Sequence, residues 1–136
     1  MQAAFYKGRR EGLAWFYNRL VRLFEGGPYA HCELIFSDGI SASASWMDGG
    51  VRFKQIRFSP NNWDIIELPG SDEDTARAWF ARHDGQKYDM LGNLKFLLKI
   101  IPHSRDKWFC SEALAAALGM DDPWSYGPNS LYQILK

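Results

Sequence analysis

The chain has 136 residues, of which 46% are hydrophobic and 15% aromatic, and its 16 basic and 16 acidic residues give zero formal net charge. This length suits a single domain over residues 1–136, and the composition excludes an intrinsically disordered chain. Without an excess of positive charge the chain lacks the field that attracts nucleic acid, so no nucleic-acid partner is expected.

The start of the chain carries no apolar segment that ends in a small-residue cleavage site, and no later stretch reaches membrane-spanning length. We therefore expect a cytoplasmic protein without stable membrane insertion. In a reducing compartment a disulfide between Cys32 and Cys110 is disfavoured, and both are predicted to be free thiols.

The first half of the chain reads as one helix followed by strands. Apolar residues at helical spacing predict an amphipathic helix over residues 12–24. Alternating patterns then predict strands near residues 31–36, 40–45, 51–56 and 63–68. In the simplest topology these four strands form an antiparallel meander.

The second half is rich in predicted helices. One begins at a capping-box-like segment, residues 71–74, and ends near residues 83–85. Further helices are predicted over residues 90–101, from Cys110 towards Gly119, and from residue 127 onward, with Leu131, Ile134 and Leu135 on the apolar side of the last. The fold class is α+β, with a small antiparallel sheet or half-barrel and helices packed on one side.

Cys110 is the residue that most directly suggests chemistry. It stands at the start of a predicted helix, where unpaired backbone N–H groups and the positive end of the helix dipole favour the thiolate. His31 stands at the start of a predicted strand and is the candidate base. A cysteine on a helix facing a histidine on a strand is an arrangement typical of hydrolases.

Two residues are candidates to orient the imidazole, and the sequence leaves the choice open. Glu33 lies two residues beyond His31 and so shares its face of the strand, while Ser43 lies on the next strand. Glu33 is slightly favoured, because a carboxylate stabilises an imidazolium better than a hydroxyl does. Cys32 points to the opposite face and is predicted to be a core thiol.

A zinc site would need close ligand spacing. The possible ligands do not show it, so no metal and no organic cofactor is expected. These residues are His31, Cys32, His83, His103 and Cys110. His83 and His103 are predicted to lie at helix ends on the surface.

Several short segments, taken in their order along the chain, resemble the permuted papain-like hydrolases of the NlpC type. The segments are Tyr29-Ala30-His31, Gly50-Val51, Tyr88-Asp89 and Phe109-Cys110-Ser111-Glu112. In that family the histidine strand precedes the cysteine helix, the reverse of papain's order. The resemblance implies Cys110 as nucleophile, His31 as general base and then acid, and Tyr88 as a cleft residue near the oxyanion. Many relatives carry an acidic or polar orienting residue on the strand that follows the histidine strand, where this chain has only serines, Ser43 among them.

The expected function is a thiol amidase or peptidase that cleaves an amide or ester through an acyl-enzyme on Cys110. Relatives include peptidoglycan-peptide hydrolases and lipid acyltransferases, so a small peptide, a cell-wall fragment or an acyl compound remains open as substrate. Two alternatives are an acyltransferase or lipid-acting enzyme with the same Cys and His, and a catalytically inert binding module of this fold.

Overall fold

A computed structural model describes residues 1–8, 19, 21–23, 26–89 and 107–136. Its architecture is α+β, as predicted, with one sheet of seven strands and three helices whose bounds lie within the described residues. The strands are β1 Gln2–Tyr6, β2 His31–Ile35, β3 Ile40–Ser45, β4 Gly50–Gln55, β5 Trp63–Glu67, β6 Lys87–Tyr88 and β7 Lys107–Trp108. The helices are α1 Glu73–His83, α2 Cys110–Ala117 and α3 Pro128–Leu135, with a 3₁₀ turn at Pro123–Ser125.

The strand order differs in part from the predicted four-strand meander. It runs β5-β1-β2-β3-β4-β6-β7, and every pairing is antiparallel except the parallel pairing of β6 with β7. Strands β2, β3 and β4 do form a meander. Strand β5, however, pairs with β1 rather than with β4, and it forms one edge of the sheet. The prediction missed β1 because Ala3 and Ala4 lack the branched or aromatic side chains typical of strands.

The two faces of the sheet have different contents. One face packs against all three helices and forms the main core, with Phe5, Leu34, Phe80 and Leu114 among its fully buried side chains. Small side chains on β3 and α2 let this helix approach the sheet closely. The other face carries a smaller apolar cluster of Ala4, Tyr6, Ile35 and Trp63. Alternation along the strands places the polar side chains of β2, β3 and β4 on this second face.

The starts of the three helices agree with the predicted positions to within a residue. The side chain of Asp72, rather than Ser71, caps α1 by accepting a hydrogen bond from Thr75 N at 2.9 Å. Gly85 follows α1 with a φ of +79°, which glycine adopts without strain. On α3, Leu131 is fully buried as predicted, but Ile134 is 56% exposed, so its assignment to the apolar side is wrong. Ile134 stands three residues after Leu131, and the turn of the helix over these residues carries its side chain beyond the surface that contacts the core.

Two predicted helices lie mostly or wholly outside the described residues. Within the segment 12–24, Arg19 and residues 21–23 are described and helical. The predicted helix over 90–101 and His103 fall outside the described part of the chain. Among the described helices, none is long and apolar enough to cross a membrane.

Candidate functional site

Cys110 occupies the first position of α2, as the sequence predicts. The preceding residue, Phe109, is extended, with a φ of −105° and a ψ of 167°, so the helical backbone begins at the cysteine itself. Helix α2 packs against β2 and β3, and Cys110 is 1% exposed. Its thiol therefore lies at the positive end of the helix dipole and beside the strand that carries His31.

Strands β2 and β3 separate near His31. Their ladder contains only the pairs Leu34 with Ala42 and Ile35 with Ser41. Towards the start of β2, the Ser43 hydroxyl instead donates a hydrogen bond to the Cys32 carbonyl at 2.7 Å. A hydroxyl thus satisfies backbone that the ladder leaves unpaired next to the histidine.

The His31 imidazole sits between a thiol and a carboxylate. One ring nitrogen, Nε2, lies 2.8 Å from Glu33 Oε1, and the ring also forms a hydrogen bond with Cys110. With Nε2 on Glu33, Nδ1 is the nitrogen left to exchange a proton with the thiol. The Glu33 side chain is 1% exposed, so its carboxylate is buried beside the imidazole.

Arg52 neutralises the buried carboxylate of Glu33. Its two terminal nitrogens donate to the two oxygens of Glu33 at 2.7 and 2.5 Å, and its Nε donates to Asp48 at 2.9 Å. Asp48 also accepts a hydrogen bond from Lys54 at 2.6 Å. A bidentate pair of this kind fixes the plane of the carboxylate, and through it the orientation of the His31 ring.

These contacts keep both Glu33 and His31 in their charged forms. Burial would raise the pKa of Glu33, but hydrogen bonds and attraction from Arg52 and His31 hold that pKa below its usual value. Burial likewise acts to lower the pKa of His31, yet the neighbouring Cys110 thiolate and Glu33 carboxylate raise it to about 9. The imidazole is therefore protonated at neutral pH.

Cys110 shows the complementary shift. A hydrogen bond from Cys32 lowers the pKa of the Cys110 thiol, burial opposes this change, and the His31 imidazolium lowers the pKa further, to well below the usual value. The thiolate and the imidazolium thus stabilise each other. This is the ionised pair that nucleophilic cysteine chemistry requires.

Tyr88 and Ser43, the other two site residues named from the sequence, both lie near Cys110 and His31. Tyr88 pairs with Trp108 in the parallel β6–β7 ladder, which places its backbone alongside the residue two positions before Cys110. Ser43 is fully buried and its hydroxyl donates to the Cys32 carbonyl. Of the two candidates to orient the imidazole, Glu33 is the one in contact with it.

Sequence reasoning missed two contributors to the site. Arg52 lies on β4 directly opposite Ser43, so strand alternation puts it on the same sheet face as Glu33. The available signal was a basic residue, Arg52, in the middle of an alternating strand. Cys32 was predicted to be a core thiol, and it is fully buried, but its hydrogen bond to Cys110 had no signal in the sequence.

Within the described residues, no group of three or more His, Cys, Asp or Glu side chains could hold a metal ion. No protein-family model matches the sequence. A search of curated proteins likewise found no match.

The two thiols are expected to differ in reactivity. Both are buried, but only Cys110 has a helix N-terminus and a histidine to hold it as a thiolate. Iodoacetamide at neutral pH should label Cys110 at least roughly tenfold faster than Cys32. Mass mapping of the labelled peptides measures both rates in one sample. Preferential labelling of Cys32 would contradict the assignment of the nucleophile.

Proposed function

We propose that the protein is a cysteine hydrolase that cleaves an amide or ester through an acyl-enzyme on Cys110, with a permuted papain-like fold. The observation that supports it most is the linear arrangement of Cys110, His31 and Glu33, in which each side chain contacts the next. A structural cysteine needs no buried imidazolium beside it, and a structural histidine needs no ionised carboxylate behind it.

In the proposed reaction the Cys110 thiolate attacks the substrate carbonyl and forms a carbon–sulfur bond. The oxyanion accepts hydrogen bonds from the Cys110 backbone N–H and from Tyr88. Protonated His31 gives its proton to the leaving nitrogen or oxygen as that bond breaks. Neutral His31 then takes a proton from water, the hydroxide attacks the thioester, and Cys110 leaves again as the thiolate.

Glu33 and Arg52 act through His31 and do not touch the reacting atoms. Glu33 stabilises the imidazolium and fixes its ring orientation, which is the task of the acid in a catalytic triad. Arg52 keeps that acid ionised and immobile in a buried environment. Both are positioning residues.

The proposal can be tested with para-nitrophenyl acetate, a reactive ester that demands little of a binding site. The enzyme should release nitrophenol and carry an acetyl group on Cys110, which intact-protein and peptide mass spectrometry detect. Product analysis with and without a weakly nucleophilic acceptor such as glycerol separates a transferase from a hydrolase, because a transferase forms the acetylated acceptor in preference to acetate. Absence of any Cys110-dependent release or labelling would overturn the proposal and favour an inert binding module.

The orienting residue is expected to leave a signature in the pH–rate profile. Changing Glu33→Gln removes a negative charge beside His31, so the pKa of the imidazole should fall and the alkaline limb of the profile should move to lower pH. We expect turnover to drop roughly 100-fold, less than on loss of the nucleophile. Ser43→Ala is the matched comparison, and its profile should keep the wild-type shape. A shifted profile in Ser43→Ala with none in Glu33→Gln would reverse the assignment.

A further inference from the structure

A cavity of about 400 Å³ opens beside the catalytic histidine on the second face of the sheet. Its volume lies within the range of small-ligand pockets, about 300–1,000 Å³. His31, Glu33 and Ser45 line it on the sheet side, and Met47, Ile56 and Trp63 add apolar surface. The charged side chains Asp48, Arg52, Lys54 and Arg57 complete most of the lining.

The position of the cavity assigns it to one half of the substrate. His31 lines the cavity, whereas Cys110, which hydrogen-bonds to the imidazole, does not. In the proposed reaction Nδ1 of the imidazolium, the nitrogen beside Cys110, protonates the leaving atom, so this atom lies against His31 and the rest of the leaving portion extends past the ring. A cavity lined by the same ring and by Glu33 adjoins that position and is suited to the far end of the leaving portion.

The charges of the cavity select for an anion. Its two carboxylates are already neutralised, since Glu33 is paired with Arg52, and Asp48 with Arg52 and Lys54. The pKa of Asp48 is lowered to about 2, mainly by Lys54 and Arg52 against the effect of burial, so this carboxylate stays ionised. Arg57 is exposed and has no ion pair among the described residues.

From these observations we infer that the cavity binds a leaving group that carries a carboxylate or a phosphate, held by Arg57 and packed against Trp63. The assignment of the cavity to the leaving group rests on the proposed function. The lining and the charge of the cavity do not depend on it. Arg57 supplies a planar guanidinium that can donate two parallel hydrogen bonds to either anion.

The first test measures binding alone and needs no catalysis. Succinate and inorganic phosphate are titrated calorimetrically into the Cys110→Ala variant, with succinamide as the neutral probe. At least one anion should bind, succinamide should bind much more weakly, and Arg57→Gln should weaken anion binding roughly tenfold. Arg57→Lys should retain most of the anion affinity. Arg82→Gln is the control: it removes an exposed positive charge that lies on α1, and it should leave the Kd unchanged. Equal binding of succinate and succinamide, or an unchanged Kd in Arg57→Gln, would overturn the inference.

The second test uses turnover by the wild-type chain and separates the two sources of the anion. Three acetyl esters differ only in the leaving phenol: para-acetoxybenzoate, para-acetoxyphenyl phosphate and the neutral para-acetoxybenzamide. At least one anionic ester should have the higher kcat/KM, and the advantage should shrink in Arg57→Gln and at high salt. Turnover of all three without an anionic preference would overturn the inference and leave the hydrolase standing. Failure of all three esters would count against the hydrolase, and the titration would still decide the anion site.

Discussion

Changing Cys110→Ala is expected to reduce ester turnover by roughly 10⁴-fold or more, because it removes the thiolate that His31 activates in the described site. The measurement is para-nitrophenyl acetate hydrolysis, together with the loss of the acetylated peptide in mass spectra. The fold should survive, since the thiol occupies little volume and alanine is a good helix former at this position.

Cys32→Ala is the matched control for that variant. It removes the same side-chain atom from the same core, so a general effect of losing a buried thiol would appear in both. Turnover in Cys32→Ala should stay within roughly tenfold of wild type, with the pKa of Cys110 shifted upward by the loss of the Cys32 hydrogen bond. Equal loss of turnover in both variants, or retained turnover in Cys110→Ala, would contradict the assignment.

Changing Arg52→Gln is expected to produce the largest loss of stability. It leaves the Glu33 carboxylate buried and without its bidentate partner, which should cost about 3–5 kcal/mol in the free energy of unfolding at neutral pH. The comparison of denaturant midpoints and slopes for wild type and variant measures this.

A double variant separates the effect of the unpaired charge from lost packing. In Arg52→Gln with Glu33→Gln both charges are gone, and the double variant should be more stable than Arg52→Gln alone.

The pKa of Glu33 also fixes how the stability loss in Arg52→Gln depends on pH. The lowered pKa of Glu33 stabilises the wild-type fold above the usual carboxyl pKa, and this contribution is lost as pH falls through the folded-state value. The deficit of Arg52→Gln should therefore narrow in acid, and additive losses with no such narrowing would contradict the role of Arg52.

Local sequence patterns predicted the parts of the structure that depend on neighbouring residues. The helix start at Cys110 and the strands β2 to β4 follow from residue type and alternation over a few positions. Glu33 was placed beside His31 by the same alternation, because side chains two apart on a strand point the same way.

The missed features depend on contacts between distant segments. β1 lies in the interior of the sheet, where Ala3 and Ala4 fit because space is limited, and their propensity gave no strand signal. The role of Arg52 follows from the register in which β4 pairs with β3, and a single sequence does not reveal that register. The exposure of Ile134 likewise depends on how far α3 extends past the core.

The central claim is that Cys110 and His31 form a thiolate–imidazolium pair, and the pH dependence of Cys110 alkylation in wild type and His31→Ala tests it most directly. In the wild-type chain, labelling by iodoacetamide should stay fast well below pH 8, because the pKa of Cys110 is lowered and that of His31 is raised to about 9. His31→Ala should raise the pKa of Cys110 and slow labelling at pH 6 by roughly tenfold or more, while at alkaline pH the two rates approach each other. The hydrogen bond from Cys32 remains in both proteins and does not mask the difference. Superimposable profiles for the two proteins would contradict the pair, and with it the proposed mechanism.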